Sequence, residues 1–467
     1  MAQLKAQHMA QVPQNSFTQG SLGKVYVKTA VPIVFVMLMN GLLSVVDAIF
    51  LGAYVGPNAL AAVTLMFPLF MLIVALSALV SGGMSSLLAR ALGAEDYDRA
   101  RAVFAGAHGL AVALGLFLIA LFLLLGGPVT LLMTGGDPDL AQMGTIYLRI
   151  TVFFSPLLFL LSVNSDALRN EGKVGLMALM GVVVSLANIA FNYLLIAVFE
   201  LGVAGSAYGT AAAQALSIAI ILVIRVYGAT PLKPAVLLRH SLLGHWPRIV
   251  ALGAPQSLNF MGISLVSTAI ITMIQWVGQN NYADTVTAYG ITTRVVTFAF
   301  LPLLGISFAM QTITGNNYGA ALWSRSDATL RIALRIALVY CACVQLILMT
   351  LPGLIASAFV EDPAIIKEAE RILPLMTFTF FLTGPLMMIA AYFQAIGAAA
   401  RAALLGLIKP YGLSIPLTFL LPRFVGEVGI WITGPVAEVL LLGLTLLVLG
   451  RAARKDPSLK FGLFHRP

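Results

Sequence analysis

The sequence predicts an all-α polytopic membrane protein, with twelve transmembrane helices forming two pseudo-symmetric six-helix bundles. Three observations carry that prediction. Of the 467 residues, 60% are hydrophobic and only 10% charged, against roughly 25% charged in a soluble chain. Mean hydropathy is +0.97, out of reach for an apolar core in a charged coat. The apolar residues form continuous runs of about 20 residues or more, the length of a spanning helix, without the period-2 alternation of a membrane barrel. Finally, the second half of the chain repeats the layout of the first. A soluble enzyme is excluded, and so is a disordered or fibrous chain, because the 22 Pro and 42 Gly follow no collagen-like period.

Residues 1–24 read as a polar cytoplasmic segment. The apolar run that follows is too long for a signal-peptide core and has no small-residue cleavage site, so it is a retained first span. The predicted spans are 27–53, 59–89, 102–125, 145–167, 175–199 and 203–227, then 249–278, 285–315, 328–352, 370–396, 403–421 and 428–450. They define an N-terminal six-helix lobe (25–228), a cytoplasmic linker (229–248), a C-terminal six-helix lobe (249–450) and a cytoplasmic tail (451–467). Prolines 32, 68, 156, 255, 302, 374, 385, 416 and 435 fall inside spans, where each removes a backbone donor and invites a kink.

Orientation follows from the basic residues. With the N-terminus inside, 22 of the 27 Lys and Arg are cytoplasmic, from Lys5 to Arg466. Only Arg149, Lys367, Arg371 and Arg423 lie outside, and Arg294 falls within a span. That asymmetry places both termini in the cytoplasm, as expected for a multi-pass protein of the plasma (inner) membrane. It also accounts for the net charge of +9 without a nucleic-acid partner.

The halves correspond segment by segment. Val31–Gly56 has the layout of Ala254–Gly278, a proline near its start and Val-Gly at its end. Ala89–Arg101 parallels Ile313–Ala328, and Gly202–Gln214 parallels Gly429–Leu441. Each half has an even number of spans, so the repeat axis runs along the membrane normal, with a substrate path between the halves.

An intramembrane carboxylate is expensive and marks a functional site by default. Asn40, Ser44 and Asp47 share one face of the first span. Ser185, Asn188 and Asn192 form a second stripe on the fifth span, and Ser206, Thr210 and Gln214 a third on the sixth. One acid among amides and hydroxyls can hold a proton on Asp47 or a hard cation such as sodium. Such amides and hydroxyls also serve simply to bond neighbouring helices. In the second half, Gln256 and Asn259 lie on the seventh span, Arg294 on the eighth and Glu438 on the twelfth. Arg294 and Glu438 either contribute to a pocket or neutralise each other. Asp166 and Arg169 read as an end-cap or gate pair, and Lys409 as a residue snorkelling to the cytoplasmic interface.

No HExxH, GxSxG, P-loop or strand-borne GxGxxG occurs. Cys341 and Cys343 are the only cysteines and fit neither a disulfide framework nor a metal site. His108, the one histidine inside a span, reads as a packed or hydrogen-bonded residue. A membrane-embedded enzyme would therefore lack a catalytic constellation. Without an ATP-binding module, uphill transport requires an ion gradient or an unseen partner.

The chain resembles the multidrug and toxic compound extrusion (MATE) family over residues of about 25–450. The resemblance is carried by "VDAIFLGAYVG" (Val46–Gly56), "MFPLF", "SGGMSSLLARALGAEDYDRARA" (Ser81–Ala102) and "NSDALRNEGKVGLMAL" (Asn164–Leu179). It continues through "ANIAFNYLLI" (Ala187–Ile196), "GVAGSAYGTAAAQ", "YFQAIGAAARAALLGL" (Tyr392–Leu407) and "GIWITGPVAE" (Gly429–Glu438). The resemblance implies a V-shaped pair of six-helix bundles that open alternately to the two sides. It further implies cation-coupled export of amphipathic, often cationic, compounds. The expected partners are an amphipathic small molecule and membrane lipid, with a proton or sodium as coupling ion, no other cofactor, no required ATP-binding subunit and a monomeric chain.

By that resemblance the coupling acid is Asp47, joined by Asn188 and Thr210, with all four of Asp47, Asn188, Asn192 and Thr210 as ligands if the ion is sodium. The chain departs from the family at Asn192, where a second acid is usual, and at Gln256 and Asn259, where some members carry a span-seven acid. A single titrating Asp47 favours protons. A lipid or polysaccharide flippase on the same fold is the alternative, disfavoured because Arg294 alone offers a basic contact for a pyrophosphate.

Overall fold

The computed structural model describes residues 15–277, 282–455, 459–460 and 462–465; Lys5, Gly278 and Arg466 of the sequence reading lie outside them. Among the described residues ten helices are long and apolar enough to cross a membrane, and two bent helix pairs, each taken as one span, bring the number to twelve. The first six spans are Leu22–Val55, Pro57–Gly93, Tyr97–Met133, the pair Pro138–Phe153 and Ser155–Asn170, Val174–Val198, and Gly202–Tyr227. The last six are Trp246–Val277, Tyr282–Gly319, Trp323–Thr350, the pair Pro363–Thr377 and Phe380–Ala395, Ala399–Val425, and Thr433–Arg454. A two-residue hairpin, Leu459–Lys460 against Phe464–His465, is the only β structure among the described residues.

Local chemistry sets the helix ends. Gly56 adopts φ 109° between the first two spans, a conformation open to glycine, and Pro57 then starts the second span, where a missing N–H is harmless. Asp96, Asp137 and Asp362 cap the helices that follow them, accepting the backbone N–H of Arg99, of Asp139 and Leu140, and of Ala364. Two spans are sharply bent, by 45° between Phe153 and Ser155 and by 43° between Thr377 and Phe380. Pro156 lies just past the first break, and Pro374 and Pro385 flank the second. At the second break the Gln345 side chain serves the orphaned backbone, its amide donating to the Phe378 carbonyl at 2.6 Å and its oxygen accepting from Phe381 N at 2.8 Å.

The chain divides into two compact units, one containing Val31–Ser257 and the other Ser21–Ala30 and the chain from Leu258 onward. The division thus falls inside the first and seventh helices, each of which contributes to both units. The linker belongs to the first unit. Arg101 Nε donates to the Pro231 carbonyl at 3.2 Å, Lys173 Nζ to Ala229 at 2.7 Å, and Trp246 Nε1 to Gly106 at 2.9 Å. Span two and the start of the seventh helix touch through glycines. A Cβ at Gly83 would lie 2.0 Å from Ile249 O, and one at Gly253 1.8 Å from Leu79 O, the small-residue packing of membrane helices.

One end of the first unit holds a network that charge counting placed in solvent. Arg225 is 1% exposed and donates to Glu171 and Asn164, both at 3.0 Å, with Phe104's ring 5.0 Å from its guanidinium. His108 bonds the Phe104 carbonyl at 2.8 Å and Asn164 at 3.0 Å, the packed role expected of it. Asp166 and Arg169 pair at 3.2 Å. The second unit has an apolar core built around Trp431, Tyr289, Ile372 and Ile274. Cys341 and Cys343 are both free.

Candidate functional site

The first unit assembles the acid of span one with the amides of span five and the hydroxyl of span six. Asn192 Nδ2 donates to Asp47 Oδ1 at 2.7 Å and to Asn188 Oδ1 at 3.1 Å. Asn188 Nδ2 in turn donates to Thr210 Oγ1 at 2.9 Å, and Thr210 donates to the Ser206 carbonyl at 3.2 Å. Asn188 and Asn192 are 1% and 0% exposed. Helical spacing explains the alignment, since residues four apart stack on one face. Asn192 donates in both directions, to Asp47 on one side and to Asn188 on the other, so both its amide hydrogens are used. Its Oδ1 is the loose end, buried without a hydrogen-bond partner.

Two features hold this cluster in place. Gly209 lets the sixth helix close on Asn192, because a Cβ there would meet Asn192 Oδ1 at 2.0 Å. Immediately past Asp47 and Asn192 the helices widen into π-helical turns at Leu51–Val55 and Tyr193–Val198, a feature that concentrates at functional sites. Sequence reading missed Gly209, for which a glycine one residue before Thr210 was the available signal.

The other stripe members stand apart from this chain. Asn40 and Ser44 are exposed, and Ser44 donates to the Asn40 carbonyl within its own helix. Ser185 is buried but bonds Gly181 of its own helix at 3.1 Å, while Ser206 contributes through its carbonyl. Gln214 and Gln256 of the first unit and Asn259 of the second are half-buried. No group of three or more His, Cys, Asp or Glu able to hold a metal occurs among the described residues.

The second unit holds a different cluster and corrects two expectations. Glu438 is paired with Lys409, whose Nζ lies 2.7 Å from Oε1, and Arg294 is exposed on the eighth span. Lys409 therefore points at an acid instead of snorkelling to the interface, because an unpaired carboxylate at Glu438's depth would cost several kcal/mol. Thr379, at the break of span ten, donates to Glu438 Oε2 at 2.6 Å, and Thr383 donates to Oε1. Lys409 itself sits in a third π-helical stretch, Ile408–Ser414.

Comparison with known proteins agrees with this architecture. The MatE family model matches residues 32–194 and 255–420, one match in each half. The chain is 25% identical over 432 residues to the "Probable multidrug resistance protein YoeA" of Bacillus subtilis (strain 168), covering 90% of this chain and 91% of that protein. It is 22% identical over 438 residues to the "Multidrug export protein MepA" of Staphylococcus aureus (strain NCTC 8325 / PS 47), covering 93% and 94%. Among solved structures, a crystal structure of MATE in complex with MaL6 superposes with a TM-score of 0.85 at 23% identity, covering 95% of this chain and all of that one. An outward-facing multidrug resistance MATE family transporter gives 0.83 at 23% identity, covering 93% and 97%. Two matched halves, twelve spans and a shared fold lead to one conclusion: the chain belongs to the MatE family of multidrug efflux transporters.

Proposed function

We propose that the protein is a proton-coupled antiporter that exports amphipathic organic cations, with Asp47 as the coupling group. The observation that carries this reading is the 2.7 Å bond from Asn192 Nδ2 to Asp47 within a chain of otherwise uncharged partners. A carboxylate satisfied only by neutral donors has no fixed countercharge, so a proton neutralises it at the least structural cost. When Asp47 is protonated it becomes a donor, and the amide of Asn192 answers by turning its orphaned oxygen toward the acid. That turn withdraws the amide hydrogens from Asn188, which passes the change to Thr210 on the sixth helix. Proton occupancy thereby biases the arrangement of three helices. A coupling ion must favour one state over the other in this way, or it drives nothing.

The outward state takes up the proton and releases the drug, and the inward state releases the proton and favours the cation. Sodium is the less favoured ion, because Asn192 replaces the second carboxylate and presents its nitrogen to Asp47. Purified protein in liposomes, given a fluorescent lipophilic cation and either a pH or a sodium gradient, tests the proposal. Movement driven by the pH gradient and lost in Asp47→Asn is expected. Transport driven equally well in a folded Asp47→Asn variant would overturn it.

A further inference from the structure

The Glu438–Lys409 cluster of the second unit is not used by the proton mechanism, and its geometry is lopsided. The Glu438 side chain is 8% exposed and that of Lys409 32%. The acid is fixed from two sides, since Thr379 donates to one oxygen and Thr383 to the other, leaving the ammonium as a third and separate partner. The base is the movable member. It carries its charge on a flexible four-carbon stem, and a third of its side chain already reaches the surface.

The backbone beneath Lys409 is also irregular. It lies in the π-helical turn Ile408–Ser414, beside Pro410, which has no N–H to give the helix, and Gly412. Thr379 lies at the 43° break of span ten. Two of the three helices that form the cluster are therefore interrupted where they meet it. A pair kept only to neutralise itself needs neither an exposed base nor two broken helices.

We infer that Glu438 is a binding site for a monovalent organic cation, of the quaternary ammonium or phosphonium type, and that Lys409 is a tethered competitor occupying it at rest. A buried carboxylate needs one positive charge nearby, and either cation supplies it. When the substrate's charge arrives, Lys409 swings to solvent and the threonine hydroxyls keep their bonds to the acid, so the site stays neutral. Lys409 thus sets the affinity: a cation binds only as tightly as it outcompetes a charge already present. This keeps affinity modest enough for release, and it disfavours dications, which would leave an uncompensated charge. The inference rests on the reading of the protein as an exporter of organic cations, but it does not depend on which ion drives transport.

Equilibrium binding of radiolabelled tetraphenylphosphonium to the full chain in nanodiscs, with no gradient, tests it. Lys409→Met is expected to tighten binding tenfold or more, Glu438→Gln to lose it, and Lys409→Arg, a tighter competitor, to weaken it several-fold. The Glu438→Gln/Lys409→Met double variant is neutral and should fold yet fail to bind. The Lys409→Met effect should keep its ratio in an Asp47→Asn background, which separates this site from the coupling site. Unchanged affinity in Lys409→Met or Lys409→Arg, or binding retained by folded Glu438→Gln, would overturn the inference. Should Lys409→Met fail to fold, Lys409→Arg and the double variant decide alone.

Discussion

Asp47, half-buried on the first span of one unit, and Glu438, buried on the last span of the other, are treated in opposite ways. In the first, Asp47 is met by an amide that passes the contact on to Asn188 and Thr210. In the second, Glu438 is met by the ammonium of Lys409 and two threonine hydroxyls. The first acid has no fixed countercharge and suits a mobile proton. The second carries its countercharge with it and suits exchange of one cation for another. Two similar six-helix scaffolds thus carry their acids on different helices, the first and the twelfth spans, and Asn192 and Lys409 give those acids different partners.

Disabling the first site gives the largest expected effect. Asp47→Asn should lower pH-driven cation transport by 100-fold or more with an unchanged melting temperature, since an amide needs no countercharge. Wild-type rates would remove the contrast between the units. Gly209→Val should come next, because even a Cβ falls 2.0 Å from Asn192 Oδ1. Transport at least tenfold slower in a folded variant is the expected result, read in the same liposomes.

Reconverting the first site sharpens the comparison further. Asn192→Asp restores a second carboxylate beside Asp47 and should make transport respond to a sodium gradient, several-fold above wild type. Gln345→Ala removes the side chain that serves both backbone groups at the break of span ten. Backbone groups left unpaired at an apolar surface cost about 1–3 kcal/mol, so thermal stability should fall and take cation binding in the second unit with it. Smallest of all, Asn40→Ala and Ser44→Ala should leave transport within about twofold, because both side chains are exposed and away from the hydrogen-bond chain.

Those predictions also mark what the sequence disclosed. Twelve spans and the repeat were legible because a bilayer demands long apolar runs, a signal no tertiary contact can disguise. The members of the first cluster were legible for a related reason, since an acid and amides inside apolar helices stand out, and helical spacing sorts them onto faces. Which stripe members meet was not legible. Asn40 and Asn188 look alike in sequence, and only the rotation of each helix about its axis separates an exposed amide from a buried link.

The second cluster was hidden for another reason. Lys409 and Glu438 lie 29 positions apart on different spans, and Arg294 was an equally plausible partner by charge alone. Charge counting likewise assigned Arg225 to the cytoplasm, whereas its guanidinium is buried against Glu171, Asn164 and Phe104. A long basic side chain near a helix end can point outward or fold inward, and the choice depends on an acid supplied by a distant turn.

If drug and proton compete through Asp47, drug binding must expel protons, and these can be counted. Tetraphenylphosphonium added to purified protein in weakly buffered solution should release about one proton per molecule, because two ligands that bind opposing states displace each other. Glu438→Gln/Asp47→Asn and Asp47→Asn should release none, while Lys409→Met, which binds the cation through Glu438 with Asp47 intact, should release as much as wild type. Proton release that persists undiminished in Asp47→Asn would show that Asp47 is not the group through which drug and proton compete.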